Sequence, residues 1–294
     1  MKNKFCRSTI STSGLGSLFQ LAFLRQLEES SGISHWENDK EATILRLGFV
    51  KPEVLSWSPR IILYRNFLST EECDYLRAIA RPRLQVSTVV DTKTGKGIKS
   101  EVRTSSGMFL SSEERRYPII QAIEKRIAVF SQVPADNGEL IQVLRYEPNQ
   151  YYKPHYDYFS DSVSSYTLIL HYIIFFFIVF ICNALVRHTA YNVELWMQYN
   201  LKRGGQRIAT MLMYLTDNVE GGETHFPKAG DGECSCGGKM VKGLCVKPNK
   251  GDAVLFWSMG LNGESDPNSL HGGCEVLKGE KWSATKWMRQ RTSY

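Results

Sequence analysis

Two segments far apart in the chain carry side chains that bind transition metals. The first is YYKPHYDYF (151–159), in which His155 and Asp157 are two residues apart. On an extended strand, residues i and i+2 point to the same side, so the imidazole and the carboxylate are directed at one point. The second is LHGGCEVLKGEKWSATKW (270–287), in which His271 precedes two glycines that allow a tight backbone turn.

Two histidines and one carboxylate on a β scaffold match the facial triad of non-haem iron sites, which leaves three coordination positions open for a cosubstrate and O₂. Lys281 opens a strand ten residues after His271. Strand alternation places Lys281, Ser283, Thr285 and Trp287 on one face. Burying a lysine inside a β-barrel costs free energy unless an anion pairs with it. The inward position of Lys281 therefore predicts that it binds the far carboxylate of a dicarboxylate. Each signal is weak alone, and the combination is much more specific.

The elements that must position these residues begin at RIILYRNF (60–67), which reads as a strand. Ser69 and Glu72 form a capping box that opens a helix ending near Pro82, and Ser111 and Glu114 repeat the box before a second helix. LQVSTVVD (84–91) reads as a single strand. The core face of the second helix comprises Ile119, Ile120, Ile123, Ile127 and Phe130.

After Pro134 the pattern changes to short strands separated by glycine and proline. The clearest are LIQVLRY (140–146), RIATMLMYLTD (207–217), GDAVLFW (251–257) and WSATKWM (282–288). Two helices followed by a run of strands predict helices packed on one side of an antiparallel β-sandwich or barrel.

Composition excludes several classes of protein. The 294 residues are 43% hydrophobic and 22% charged, which argues against extensive disorder, and a net charge of +6 is too small and scattered to indicate nucleic acid. Cys234, Cys236 and Cys245 lie close together without a fourth ligand nearby, so disulfides in a secretory compartment are favoured over a zinc site. The pairing stays open.

The N-terminal residues 1–55 read as a tail and stem. Basic residues precede an apolar segment, Leu15–Leu24, which Gln20 interrupts. This segment is too short to span a bilayer and resembles the inner end of a signal anchor. A short amphipathic helix is the alternative.

Long segments resemble the plant, membrane-anchored prolyl 4-hydroxylases over residues 38–290, with one gap. They include VLRYEPNQYYKPHYDYF, NLKRGGQRIATMLMYLTDNVEGGETHFP and KGDAVLFWSMGLNGESDPNSLHGGCEVLKGEKWSATKWMRQ. The resemblance implies an α+β, mainly β fold: a double-stranded β-helix (jelly-roll) core with N-terminal supporting helices, forming a catalytic domain over residues 56–294. It also implies Fe(II), 2-oxoglutarate, O₂ and L-ascorbate.

The resemblance also implies roles for individual residues. His155, Asp157 and His271 match the iron ligands, and Lys281 matches the residue that holds the far carboxylate of 2-oxoglutarate. His225 in GGETHFP competes as a ligand, although the family pattern does not need it. Positions that line the 2-oxoglutarate pocket correspond to Tyr146 and Thr224, and positions that contact peptide or close the pocket correspond to Arg207 and Trp287.

The implied substrate is proline in proline-rich secreted proteins such as cell-wall glycoproteins, and the implied place is the lumen of the endoplasmic reticulum and Golgi, with an N-terminal membrane anchor. Proline-rich chains adopt the polyproline II shape and dock in aromatic-lined grooves. Tyr152 is a candidate for that lining, together with Tyr151, Tyr156, Tyr158 and Trp287.

The chain departs from the family pattern at residues 162–199, where the family needs only a few residues. The segment includes LHYIIFFFIVFIC (170–182). Three interpretations stay open: a transmembrane helix, which would separate the metal ligands across a bilayer; an ordered insertion packed on the domain; and retained intron sequence. A non-catalytic jelly-roll protein that binds proline-rich peptides or hydroxylase subunits is therefore the alternative function. Hydroxylation of lysine or a small molecule is a third possibility.

Overall fold

The structure is a computed structural model that describes residues 39–90, 97–99, 101–159 and 201–292. The predicted anchor segment Leu15–Leu24 and the apolar segment 162–199 lie outside the described residues. The chain divides into two compact units at Gly48. In the first unit, Asp39 accepts hydrogen bonds from two backbone N–H groups and so caps the short helix α1 (Lys40–Leu45).

The capping box predicted at Ser69 is confirmed in the second unit. The Ser69 hydroxyl accepts a hydrogen bond from the Glu72 N–H, and the Glu72 carboxylate accepts one from the Ser69 N–H at 2.8 Å. Helix α2 (Thr70–Ala80) starts there and passes into a 3₁₀ turn that contains Pro82. Proline has no N–H to donate, so the α-helix ends close to where the sequence predicted.

The second predicted capping box forms, but it does not cap the second helix. Ser111 and Glu114 exchange two hydrogen bonds around a 3₁₀ turn, Glu114–Arg116. Helix α3 (Pro118–Ser131) begins later, without a side-chain cap. Proline is favoured at the first helical position, where its missing N–H has no intrahelical partner to lose. The predicted core face of α3 is confirmed. Ile120, Ile123 and Ile127 are buried, and Ile119 and Phe130 are partly buried against the same core.

The strands of the second unit are antiparallel wherever they pair. They are β1 (Lys51–Trp57), β2 (Arg60–Arg65), β3 (Gln85–Val86), β4 (Thr88–Val90), β5 (Gly97–Lys99), β6 (Ser106–Phe109), β7 (Gln142–Tyr146), β8 (Tyr152–His155), β9 (Arg207–Tyr214), β10 (Glu220–Gly221), β11 (Thr224–Phe226), β12 (Glu233–Cys236), β13 (Lys239–Lys242), β14 (Leu244–Val246), β15 (Ala253–Trp257), β16 (His271–Gly273), β17 (Val276–Lys278) and β18 (Lys281–Arg289).

Two predictions about strands need correction. LQVSTVVD is not one strand, because it divides at Ser87 into β3, which pairs with β6, and β4, which pairs with β5. The Ser87 N–H instead donates to the Ser105 carbonyl at 2.8 Å. Strand β1 begins inside the segment 1–55 that reads as tail and stem, and that reading gives no strand there because most of its side chains are exposed.

The core has two layers of sheet and one layer of helix. An eight-stranded sheet runs in the order β1-β2-β15-β9-β18-β7-β6-β3, and a four-stranded sheet runs β14-β11-β16-β8. Alternate residues of β9 face opposite ways: Ala209, Met211 and Met213 pack against α2 and α3, whereas Tyr214 packs with Phe226 of the smaller sheet. The fold is therefore a jelly roll with supporting helices on one side, as predicted.

Candidate active site

The predicted metal ligands converge between the two sheets. The ligand atoms of His155, Asp157 and His271 all lie within 4.8 Å of one another. Asp157 Oδ1 is 3.7 Å from His155 Nε2, and Asp157 Oδ2 is 3.5 Å from His271 Nε2. Antiparallel pairing of β8 with β16 sets His155 directly opposite His271. The pairing of two strands that are distant in sequence thus assembles the site.

Strand alternation does not account for the position of Asp157. Strand β8 ends at His155, and Asp157 lies in the bend that follows. A hydrogen bond from Thr210 Oγ1 to Asp157 Oδ2, 2.7 Å long, fixes its carboxylate instead. A neighbouring strand therefore orients this ligand.

Backbone carbonyls orient both imidazoles. His155 Nδ1 lies 3.0 Å from the Lys153 carbonyl oxygen, and His271 Nδ1 lies 2.9 Å from the Ser269 carbonyl oxygen. A carbonyl only accepts, so Nδ1 carries the proton in each ring and the lone pair of Nε2 faces the centre.

The protonation states of the site also suit a metal. Burial, followed by the proximity of His271, lowers the pKa of His155. Burial alone would raise the pKa of Asp157, but His271 and His155 outweigh it, and the pKa lies below its usual value. At neutral pH His155 is therefore neutral and the carboxylate ionised, which are the forms that coordinate a metal ion.

Lys281 lies across a small cavity from the three ligands. It is only 3% exposed, and its Nζ lies 5.5 Å from the ring centroid of Tyr146 and 5.8 Å from that of Tyr214. Burial lowers its pKa to about 8, although Glu223 acts in the opposite direction. Within the described ranges Lys281 forms no ion pair. Thr224 also lines the cavity, and its hydroxyl is 2.8 Å from the Tyr214 hydroxyl.

The predicted alternation along β18 is confirmed. One face lines the cavity with Lys281, Ser283, Thr285 and Trp287. The other face meets the helices, where Trp282 and Ala284 enter the core and Lys286 pairs with Glu124 of α3.

An open groove of about 740 Å³ joins the cavity at the metal ligands. Arg207 lies in its wall, where the guanidinium binds Glu139 through nitrogen–oxygen distances of 2.7 and 2.8 Å and stacks 4.1 Å from the ring centroid of Trp287. Trp287 Nε1 is buried and has no hydrogen-bond partner among the residues that the structure describes. Tyr152 lines both spaces, and its ring stacks on His155 at 3.7 Å.

His225 does not join the ligands. It lies between Thr224 and Phe226 on β11, so its side chain points away from the cavity that Thr224 lines. Its Nε2 lies 2.8 Å from the Lys242 carbonyl oxygen. The nearby cysteines form the disulfides Cys234–Cys245 and Cys236–Cys274, which confirms disulfides in preference to a zinc site.

Comparisons with known proteins agree with this geometry. The profile of the 2OG-Fe(II) oxygenase superfamily matches residues 141–289. Prolyl 4-hydroxylase 1 of Arabidopsis thaliana is 62% identical over 100% of this chain and 98% of its own length. The chain belongs to the prolyl 4-hydroxylase family of this superfamily. Probable prolyl 4-hydroxylase 3 of the same plant is 50% identical over 80% of this chain and 71% of its own.

A solved structure of a viral collagen prolyl hydroxylase from Paramecium bursaria Chlorella virus-1, in complex with 2OG, is also similar. It shares 25% identity, with a TM-score of 0.49, over 78% of this chain and 95% of the viral chain.

The superfamily name implies Fe(II) and 2-oxoglutarate, and the residues of this prolyl 4-hydroxylase family member fit both. Two imidazole nitrogens with free lone pairs and one ionised carboxylate suit Fe(II). Lys281 is a buried cation that opens onto the same cavity and has no ion-pair partner among the described residues, which suits a carboxylate of 2-oxoglutarate.

Sequence reasoning missed several residues around the site. Thr210 carried a usable signal, since it is the one hydroxyl residue in the otherwise apolar run IATMLM. Arg103 carried none, because the two residues that place it at the site, Gln142 and Tyr152, are distant in sequence. Its guanidinium donates to Gln142 Oε1 at 3.2 Å and lies 4.9 Å from the Tyr152 ring centroid.

Proposed function

We propose that this chain is a prolyl 4-hydroxylase that acts on proline in proline-rich secreted proteins such as cell-wall glycoproteins. The observation that carries the proposal is the convergence of three metal-ligand side chains within 4.8 Å, beside the buried Lys281. The 62% identity to a plant prolyl 4-hydroxylase supports proline as the target.

Each side chain has a defined task in this proposal. His155 and His271 bind the metal through Nε2, and Asp157 binds it through its carboxylate. Lys281 holds the far carboxylate of 2-oxoglutarate, with Tyr146 and Thr224 lining the same cavity. When bound, Fe(II) supplies the activation of O₂, coupled to the conversion of 2-oxoglutarate to succinate and CO₂, that turns a proline C–H bond into C–OH.

The groove supports an extended peptide as the substrate. Its wall presents aromatic surfaces, among them Tyr152 and Trp287, and polyproline II chains dock on such surfaces. The buried Trp287 N–H supports a hydrogen bond to a peptide carbonyl, the acceptor that it lacks among the described residues. Arg207 is held against Trp287 by Glu139, so it contributes a rigid wall and charge.

The proposal extends to ascorbate as a reductant and to a lumenal location in the endoplasmic reticulum and Golgi. The two disulfides support an oxidising compartment. We infer a catalytic domain over residues 56–294 and an N-terminal membrane anchor. Among the described helices, none has the length and hydropathy required to cross a bilayer.

The test is an assay of the full chain with Fe(II), ascorbate and 2-oxoglutarate. We expect succinate to form with poly-L-proline and not with a lysine-containing peptide that lacks proline. His155→Ala and His271→Ala should abolish turnover, because each leaves two ligands. His225→Ala is the matched control and should stay active, since this imidazole points away from the cavity. Tight binding of poly-L-proline without succinate would instead indicate a non-catalytic binding protein.

A further inference from the structure

The three metal ligands are held by different means. His155 and His271 lie on paired strands, and each ring is fixed by a carbonyl of its own segment. Asp157 lies beyond the end of β8, in the bend that follows. Strand pairing therefore does not fix the carboxylate, and its position depends on contacts from elsewhere.

Strand β9 supplies the first of these contacts. Thr210 is 1% exposed in the centre of the large sheet, between β15 and β18, and its hydroxyl lies 2.7 Å from Asp157 Oδ2. An ionised carboxylate only accepts, so the hydroxyl donates. A β-branched side chain has few χ1 rotamers, so the donor is held rigidly.

The residue just before β9 supplies the second contact. Gln206 is 8% exposed, and its amide binds both backbone groups of Phe159: Oε1 accepts from the N–H at 2.6 Å and Nε2 donates to the carbonyl at 2.8 Å. The backbone of Gln206 is itself tied to Gln290, the residue after β18, through hydrogen bonds of 3.0 and 3.1 Å. The segment that carries Asp157 is thus attached to the large sheet.

We propose that Thr210 and Gln206 are positioning residues for the metal centre, which hold Asp157 in its ligating orientation. Thr210 fixes the carboxylate, and Gln206 fixes the backbone two residues farther on. The inference rests on the proposed metal site. Partners that orient metal ligands typically change metal affinity by about 10–100-fold when they are removed.

The test measures binding of Mn(II) alone to the full chain, by calorimetry, with neither peptide nor 2-oxoglutarate present. Thr210→Val keeps the shape and removes the donor, so we expect its Kd to rise by about 10–100-fold. Thr210→Ser keeps the donor and should bind Mn(II) nearly as the parent does. Equal affinity of the parent and Thr210→Val, or an equal loss in the valine and serine variants, would overturn the role of Thr210.

Thr216→Val separates positioning from general stability. Thr216 follows β9 and uses its hydroxyl for two hydrogen bonds, to the Glu280 carbonyl and from the Trp282 N–H, both away from the metal ligands. The Thr216→Val variant should have a lower Tm without metal and an unchanged Kd for Mn(II). If it weakens Mn(II) binding as much as Thr210→Val does, the effect is one of stability and the inference is lost.

Gln206→Glu is a second test, independent of Thr210. It keeps the size and the acceptor and removes the donor to the Phe159 carbonyl. We expect weaker Mn(II) binding in this variant too, and an unchanged Kd would remove Gln206 from the proposal. Failure of the parent protein to bind Mn(II) at all would instead count against the metal site and the proposed function.

Discussion

The binding of 2-oxoglutarate should weaken between pH 7 and pH 9, because Lys281 loses its proton in this range. Burial lowers the pKa of Lys281 to about 8. The ammonium is then about nine-tenths populated at pH 7 and about one-tenth populated at pH 9. If only the ammonium binds the far carboxylate, the Kd of 2-oxoglutarate should rise about tenfold over these two pH units.

The lowered pKa of Lys281 affects folding stability in the opposite direction: stability increases with pH, whereas 2-oxoglutarate binding weakens. The pKa of Lys281 is 10.5 before burial, so between about pH 8 and pH 10.5 the unfolded chain binds a proton that the folded chain does not. Stability therefore rises with pH across this window, and burial of the ammonium costs about 3 kcal/mol at neutral pH. A bound dicarboxylate offsets that cost only while the lysine is charged.

The assay is calorimetric titration of 2-oxoglutarate into the Mn(II)-loaded protein without O₂, at pH values from 7 to 9. Lys281→Arg is the control, because a guanidinium stays charged throughout and should give weaker but pH-independent binding. A Kd that stays flat in the parent protein, or that rises equally in the arginine variant, would refute the assignment of Lys281 as the titrating clamp.

Three further predictions concern the scaffold. Arg126→Met should lower the free energy of unfolding by about 3–5 kcal/mol, measured by urea denaturation, because it leaves the buried Glu72 carboxylate without its bidentate partner; an unchanged midpoint would contradict this. Replacing Cys236 and Cys274 together with serine should cost about 2–5 kcal/mol by the same measurement, and a loss well below that range would show that the bridge constrains little. Deletion of residues 162–199 should leave the Mn(II) Kd unchanged, since Gln206 holds the chain at Phe159; a large rise would show that the segment supports the ligands.

Local signals predicted helices α2 and α3 and the longer strands β2, β7, β9, β15 and β18, but they missed β1 and most of the short strands. The capping box at Ser69, the apolar face of α3 and the alternation along β18 all depend on neighbours within a few residues, and each is confirmed. The pattern failed at two places, one through a distant contact and one through a competing local signal. Ser87 pairs with Ser105 and divides a predicted strand, and the box at Ser111 closes a 3₁₀ turn because Pro118 starts the helix independently.

The sequence alone predicted the chemistry of the site, because the residue types of His155, Asp157, His271 and Lys281 indicate a metal centre with a cationic clamp. Only the tertiary structure decided how the site is held. Asp157 lies beyond its strand, and its orientation comes from Thr210, more than fifty residues away in the chain. Such a contact exists only once β9 is in place beside the ligands, and no spacing along the chain encodes it.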